Sequence, residues 1–195
     1  MIRSLSFAAL LLCTSMAFAG DPQPAAKADP APAAKKYEIG SQAPVFKIKD
    51  DTGKEIDLAE LTAKGPVLVR LTCGCAGCDK ELAYFSAIHE AYKDAGLTSL
   101  AIFRGGDAKI AAYAKTKKLN MLYAIDPKGE AWKTFETTKM PTNFLIAKGG
   151  KIISVAAGCD TSGLLANTIS EKVAKVVNTD AVDVQQKVKE ERAKQ

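Results

Sequence analysis

Three cysteines lie within one six-residue stretch, Cys73-Gly74-Cys75-Ala76-Gly77-Cys78, at a seam between two hydrophobic patterns. Before them, Pro66 to Leu71 is a short apolar run bounded by Gly65, the pattern of a buried central strand; Arg70 interrupts it and needs a partner or an exposed end. After them, Cys78, Leu82, Phe85, Ile88 and Tyr92 recur at three- and four-residue steps, with Asp79, Lys80, Ser86, Glu90 and Lys93 on the other faces. That spacing predicts an amphipathic helix stopped at Gly96. The cysteines therefore stand where a buried strand hands over to a helix.

This placement carries chemistry. Cysteines at i and i+3 in a first helical turn close a disulfide with little backbone change, and the unpaired N–H groups of a helix N-terminus stabilise a thiolate. Cys75 is expected as the exposed nucleophile and Cys78, on the apolar face, as the buried resolving thiol. Two plainer readings compete: a structural disulfide, or half of a zinc site. A zinc site usually shows a second pair of ligands, and the only later candidate is Cys159; the single histidine, His89, sits beside charged residues and reads as surface. The leading reading therefore involves neither a cofactor nor a metal.

The rest of the chain reads as one domain flanked by unlike ends. Residues 1–19 have the pattern of a secretory signal: Arg3, an apolar run from Leu5 through Leu12, then Ala17-Phe18-Ala19 as a cleavage pattern before Gly20. Cys13 leaves with this leader, and the mature protein is expected to be periplasmic or secreted, without stable membrane insertion, in a compartment where disulfides persist. Residues 20–36, rich in Ala, Pro and Lys, read as a disordered tether. The folded domain is expected over residues 37–178 and a charged, solvated or frayed tail over 179–195. A formal charge of +5, with lysines scattered among acids, gives no ground for nucleic acid as a partner.

Within the domain, Val45 to Lys49 and Glu55 to Leu58 read as short strands around an Asp50-Asp51-Thr52-Gly53 turn. Leu97 to Phe103 and Leu122 to Ile125 read as buried strands, with a helix between them capped by Asp107 and running through Lys118. Glu130 to Glu136 reads as a short helix, Asn143 to Ala147 and Ile152 to Ala157 as a hairpin around Gly149-Gly150, and Ser162 to Val177 as an amphipathic helix. Strands alternating with helices and closing in a hairpin and helix give an α/β sandwich around one mixed sheet.

From about Ile39 to Val177 the sequence resembles the thioredoxin-like redoxins of the broad alkyl hydroperoxide reductase/thiol-specific antioxidant (AhpC/TSA) group. The matching pieces come in order: Gly40-Ser41-Gln42-Ala43-Pro44-Val45-Phe46, the Asp-Thr-Gly turn with Leu58, the strand, C-x-x-C and helix, Leu122-Tyr123-Ala124-Ile125-Asp126 with its Pro-Lys-Gly turn, and Met140-Pro141-Thr142-Asn143-Phe144-Leu145-Ile146. The resemblance implies a thioredoxin-like three-layer sandwich, a mixed central sheet with helices on both faces and an N-terminal β-hairpin extension. It also implies that Pro141 is cis and faces the cysteines, leaving the Met140 backbone free to pair with an extended substrate segment. Gly158-Cys159 ends the last strand beside the active site, where Cys159 is expected to approach Cys73 or Cys75 or else to be a buried, inert thiol. The sequence departs from the pattern at Gly74, where an aromatic residue is frequent, at Ala76-Gly77, which lacks a frequent proline, and at the extra Cys73.

The function implied is an extracytoplasmic thiol–disulfide oxidoreductase, a monomer working on protein thiols and disulfides and on an upstream redox donor. A thiol peroxidase is the alternative: Thr72-x-x-Cys75 resembles the peroxidatic motif, although Leu68 stands where a proline is expected and only Arg70 and Arg104 are nearby arginines. A third, non-enzymatic reading takes Cys73-x-Cys75-x-x-Cys78, with Cys159, as a soft-metal site for Cu(I) or Zn(II).

Overall fold

The computed structural model describes residues 37–194; the expected leader (1–19) and tether (20–36) lie outside the described residues. Strands β1 (Lys47–Lys49) and β2 (Glu55–Asp57) pair antiparallel, Ile48 opposite Ile56. The Asp50 carboxylate closes their turn by accepting from the N–H groups of Thr52 and Lys54, both at 2.9 Å. The second strand is shorter than its sequence suggests. Asp57 accepts from the Ala59 N–H at 2.8 Å and so caps a helix, α1 (Leu58–Lys64), that the alternation of apolar and polar residues did not reveal.

The main sheet is built from β3 (Val67–Thr72), β4 (Thr98–Phe103), β5 (Leu122–Ile125), β6 (Thr142–Ile146) and β7 (Ile152–Ala157), in the spatial order β5-β4-β3-β6-β7. β3, β4 and β5 run parallel, while β6 is antiparallel to both β3 and β7. Alternation along each strand sorts the core into two layers. Leu68, Ala101, Phe103 and Leu145 meet Phe85, Ile88 and Tyr92 of α2 (Ala76–Tyr92), Ile110 of α3 (Asp107–Lys117), and Ile169 and Val173 of α5 (Leu164–Val177). Val67, Val69, Leu100, Ile102, Phe144 and Ile146 turn the other way, onto Phe46, Ile56, Leu58 and Trp132 of α4 (Glu130–Thr134). The three-layer sandwich with helices on both faces and an N-terminal hairpin is thus present.

Two helix starts differ from the sequence reading. The cap of α3 is Gly106, in extended backbone (φ −76°, ψ 142°), and Asp107 is its first residue. α5 begins at Leu164, after Gly163. Gly163 has φ 89°, and a Cβ there would lie 2.7 Å from the Tyr84 ring, so no side chain fits between this turn and α2.

The larger correction is at the C-terminus. Residues beyond 178 are not a solvated or frayed tail: Val184–Ala193 form a helix, α6, packed on α2 and α5, with Val184 0% and Val188 1% exposed. Two valines four apart make a stripe too narrow to stand out among the five charged residues of the helix; it is enough only because a polar joint waits for it. Tyr92 Oη donates to Ser170 Oγ at 2.8 Å, Ser170 Oγ donates to the Val182 carbonyl at 2.7 Å, and the Val182 N–H donates back to Tyr92 Oη at 2.8 Å. Each hydroxyl both gives and accepts, so this buried ring is closed. The domain therefore extends beyond residue 178.

Candidate active site

β3 ends at Thr72, and the next residues turn through Gly74, whose φ of 64° favours glycine, into α2. Cys75 is the N-cap of α2, with extended backbone (φ −74°, ψ 167°) and no side chain capping the helix. Its sulfur therefore sits among N–H groups that the helix itself cannot use. The three sulfurs form a graded set: Cys75 is exposed, Cys73 half-buried and Cys78 buried, all as free thiols. Cys78 Sγ lies 3.6 Å from Cys75 Sγ and 3.6 Å from Cys73 Sγ.

Their surroundings push the thiols apart in acidity. Cys75 is drawn down to about 7, first by the Cys78 backbone N–H and then by the thiols of Cys73 and Cys78. Cys73 is pushed up to about 12, chiefly by burial and next by its contact with Cys75. Near neutral pH the exposed sulfur at the helix end is about half ionised while Cys73 keeps its proton.

The remaining residues expected at the site are only partly gathered there. The Met140–Pro141 peptide is cis. Pro141 precedes Thr142, which pairs with Leu71 near the end of β3, and its carbonyl accepts from the Gly158 N–H at 2.8 Å. Met140 packs against the core layer on the α4 side. Cys159 is neither buried nor joined to the other sulfurs. It is exposed, and its thiol donates to the Gly77 carbonyl at 3.3 Å, so it touches the dipeptide between Cys75 and Cys78. Partial desolvation, and then the Glu81 carboxylate, hold its thiol above the usual range.

Beneath the sulfurs lies a charge network that the sequence showed only from one side. Arg70 is 3% exposed, and its guanidinium donates to Glu81 Oε2 at 2.8 Å and to Asn143 Oδ1 at 2.9 Å while lying 4.1 Å from the centre of the Phe85 ring. Glu81, 1% exposed and one turn beyond Cys78, uses its other oxygen to accept from the Asp160 N–H at 2.7 Å. The carboxylate thus ties β3, α2 and the segment carrying Cys159 together. A charge among the apolar steps of α2, opposite an arginine in a buried strand, was the available signal for Glu81. Asp79, beside Cys78, is held by Tyr113 Oη and Lys117 Nζ, both at 2.9 Å, which fastens α3 to the first turn of α2. Of the two arginines near the motif, Arg70 is committed to Glu81 and Asn143, and Arg104 lies 5.9 Å from the centre of the Trp132 ring.

A family model described as the AhpC/TSA family matches residues 39–155. The chain belongs to the AhpC/TSA family. The AhpC/TSA match spans the hairpin, the cysteine turn, the cis-proline loop and most of β7, and it stops before Cys159, α5 and α6. Among similar sequences, the thiol-disulfide oxidoreductase ResA of Bacillus thuringiensis subsp. konkukian is 35% identical over 128 residues, covering 65% of this chain and 74% of that protein. Among solved structures, a thiol:disulfide interchange protein from Bacteroides sp. superposes with a TM-score of 0.60 at 25% identity, covering 74% of this chain and 93% of the other. The peroxidoxin BcpB of Mycobacterium tuberculosis superposes with a TM-score of 0.58 at 19% identity, covering 72% of this chain and 96% of the other. The last shares the thioredoxin-like fold alone, so within the AhpC/TSA family the chemistry must be read from the site.

Proposed function

We propose that this protein is a thiol–disulfide oxidoreductase that works on protein thiols and disulfides through Cys75 and Cys78 after export from the cytoplasm. The observation that carries this reading is the Cys75 sulfur at the start of α2, drawn down to about 7 and 3.6 Å from the buried Cys78 sulfur. In the reducing direction the Cys75 thiolate attacks one sulfur of a target disulfide, forms a mixed disulfide and releases the first target thiolate. Cys78, deprotonated as it attacks, then displaces the target from Cys75 Sγ. A Cys75–Cys78 bond remains, and two electrons have passed to the target. The reverse sequence oxidises a dithiol.

The AhpC/TSA relatives named as thiol–disulfide oxidoreductases support this choice. Binding of an extended segment beside Met140 and Pro141, a monomeric state and export directed by residues 1–19 are parts of the same proposal. No helix among the described residues is long and apolar enough to cross a membrane.

The test is a trapping experiment. Cys78→Ser is expected to accumulate mixed disulfides that dissolve on reduction, and Cys75→Ser to trap nothing and to reduce a model disulfide at the uncatalysed rate. Turnover by Cys75→Ser at the wild-type rate would overturn the assignment.

A further inference from the structure

Thiol–disulfide exchange uses two sulfurs, and the fold brings three together. Cys73 and Cys75 each approach Cys78 to 3.6 Å, and the three sulfurs all lie within 4.8 Å of one another. They come from three backbone settings: the loop leaving β3, the N-cap of α2 and its first turn. The left-handed turn at Gly74 carries the chain from the first of these sulfurs to the second.

The size of the triangle is informative. A thiolate sulfur sits about 2.3 Å from a bound ion such as zinc, so three sulfurs around one ion in a plane are about 4 Å apart. Two edges of 3.6 Å and a third of at most 4.8 Å are close to that value, so the sulfurs already stand at about the spacing an ion requires. The donor set selects the kind of ion. Among the described residues no imidazole or carboxylate joins this group, and the thiol of Cys159 is directed to the Gly77 carbonyl instead. Three thiolates with no fourth donor suit a soft monovalent ion better than Zn(II), whose structural sites take four ligands. The graded burial gives a floor at Cys78 and an open rim at Cys75, and the positive end of α2 offsets part of the charge of the thiolates.

We propose that Cys73, Cys75 and Cys78 form a three-thiolate site for a soft monovalent cation of the Cu(I) class, and that ion binding and disulfide exchange are mutually exclusive states of the same sulfurs. The site stands on the three sulfurs; the exclusivity rests on the function proposed above. Binding takes up the ion and releases the thiol protons to solvent, with no change in oxidation state. In the Cys75–Cys78 disulfide two of the three sulfurs have no thiolate to offer, so only the reduced protein completes the site, and in loaded protein Cys75 is not free to attack a disulfide.

The full chain, reduced and kept free of oxygen, is titrated with Cu(I) against a coloured Cu(I) chelator, and X-ray absorption counts the sulfur neighbours. One equivalent of Cu(I) with three sulfurs at about 2.3 Å is expected; two sulfurs, or no competition with the chelator, overturns the site. Cys73→Ser is expected to fall to two sulfurs and to bind at least about tenfold more weakly; wild-type affinity in a folded Cys73→Ser also overturns it. If that variant does not fold, the wild-type sulfur count decides alone. Exchange is then measured on metal-free and loaded wild type. Loss of exchange on loading, restored by the chelator, supports exclusivity, and an unchanged rate overturns it. Metal-free protein that fails to exchange while still binding Cu(I) through three sulfurs overturns the proposed function and leaves the site standing.

Discussion

Cys78 and Glu81 are one helical turn apart on the buried side of α2, yet they belong to opposite kinds of environment. Around Cys78 the sulfurs have open choices: two neighbours at equal distance, no bond formed, one of them exposed at a helix end. Around Glu81 the choices are closed, since one oxygen is taken by Arg70 and the other by the Asp160 N–H, and the arginine is completed by Asn143 and Phe85. A reactive group keeps its reactivity when its partners can change; a buried charge is tolerable only when they cannot. The fold places the rigid set one helical turn from the labile one, so that in the proposed exchange the sulfurs would change partners beside a floor that holds β3, α2 and the Cys159 segment in register.

Breaking the floor should have the largest effect. Glu81→Ala leaves Arg70 buried and uncompensated and is expected to cost about 3–5 kcal/mol, read as a lowered denaturant midpoint. The comparison is sharpened by replacing the pair together. Arg70→Met with Glu81→Leu is expected to recover most of that loss, because the desolvation of both charges is removed with their attraction; a double variant no better than Glu81→Ala would mean that Asn143 and Asp160 dominate. Val188→Ala, on the far flank of α2, is expected to cost about 2 kcal/mol by unburying the α6 contact. The labile set should answer to pH. With Cys75 drawn down to about 7, its thiolate fraction grows as pH rises through that value, so its alkylation should slow about fivefold between pH 7 and pH 6. A rate flat over that interval would mean that the helix end does not ionise this sulfur. The smallest effect is expected at Tyr113→Phe, which removes one of the two hydrogen bonds to Asp79: about 1 kcal/mol, or a melting temperature lower by about 3 °C.

The same contrast separates what could be read in the sequence from what could not. The cysteine turn and its setting were legible, because a buried strand, a C-x-x-C and an amphipathic helix are local patterns with distinct periods. β5 and β7 fall where alternation and apolar runs place them. Most of what was missed depends on partners distant in sequence, the start of α1 being a local exception. Arg70 announced that it needed a partner without naming Glu81 or Asn143. α1 hid behind Asp57, which serves at once as the last residue of a strand and the cap of a helix. α6 carries only two core residues and gains its place from the hydroxyls of Tyr92 and Ser170, whose roles no short window displays. Cys159 was expected either to approach Cys73 or Cys75 or to be a buried, inert thiol; it is exposed, and its thiol is bonded to the carbonyl of Gly77, between Cys75 and Cys78.

At residue 163 there is no room for a methyl group, since a Cβ would meet three atoms of the Tyr84 ring within 3.1 Å. Installing even alanine there would act as a wedge, levering the start of α5 outward together with Asp160, three positions earlier, whose amide holds Glu81. A single hydrogen in place of a carbon thus sets the spacing on which the anchoring of the redox helix depends, and random mutagenesis scored for folded protein should return that codon almost unchanged.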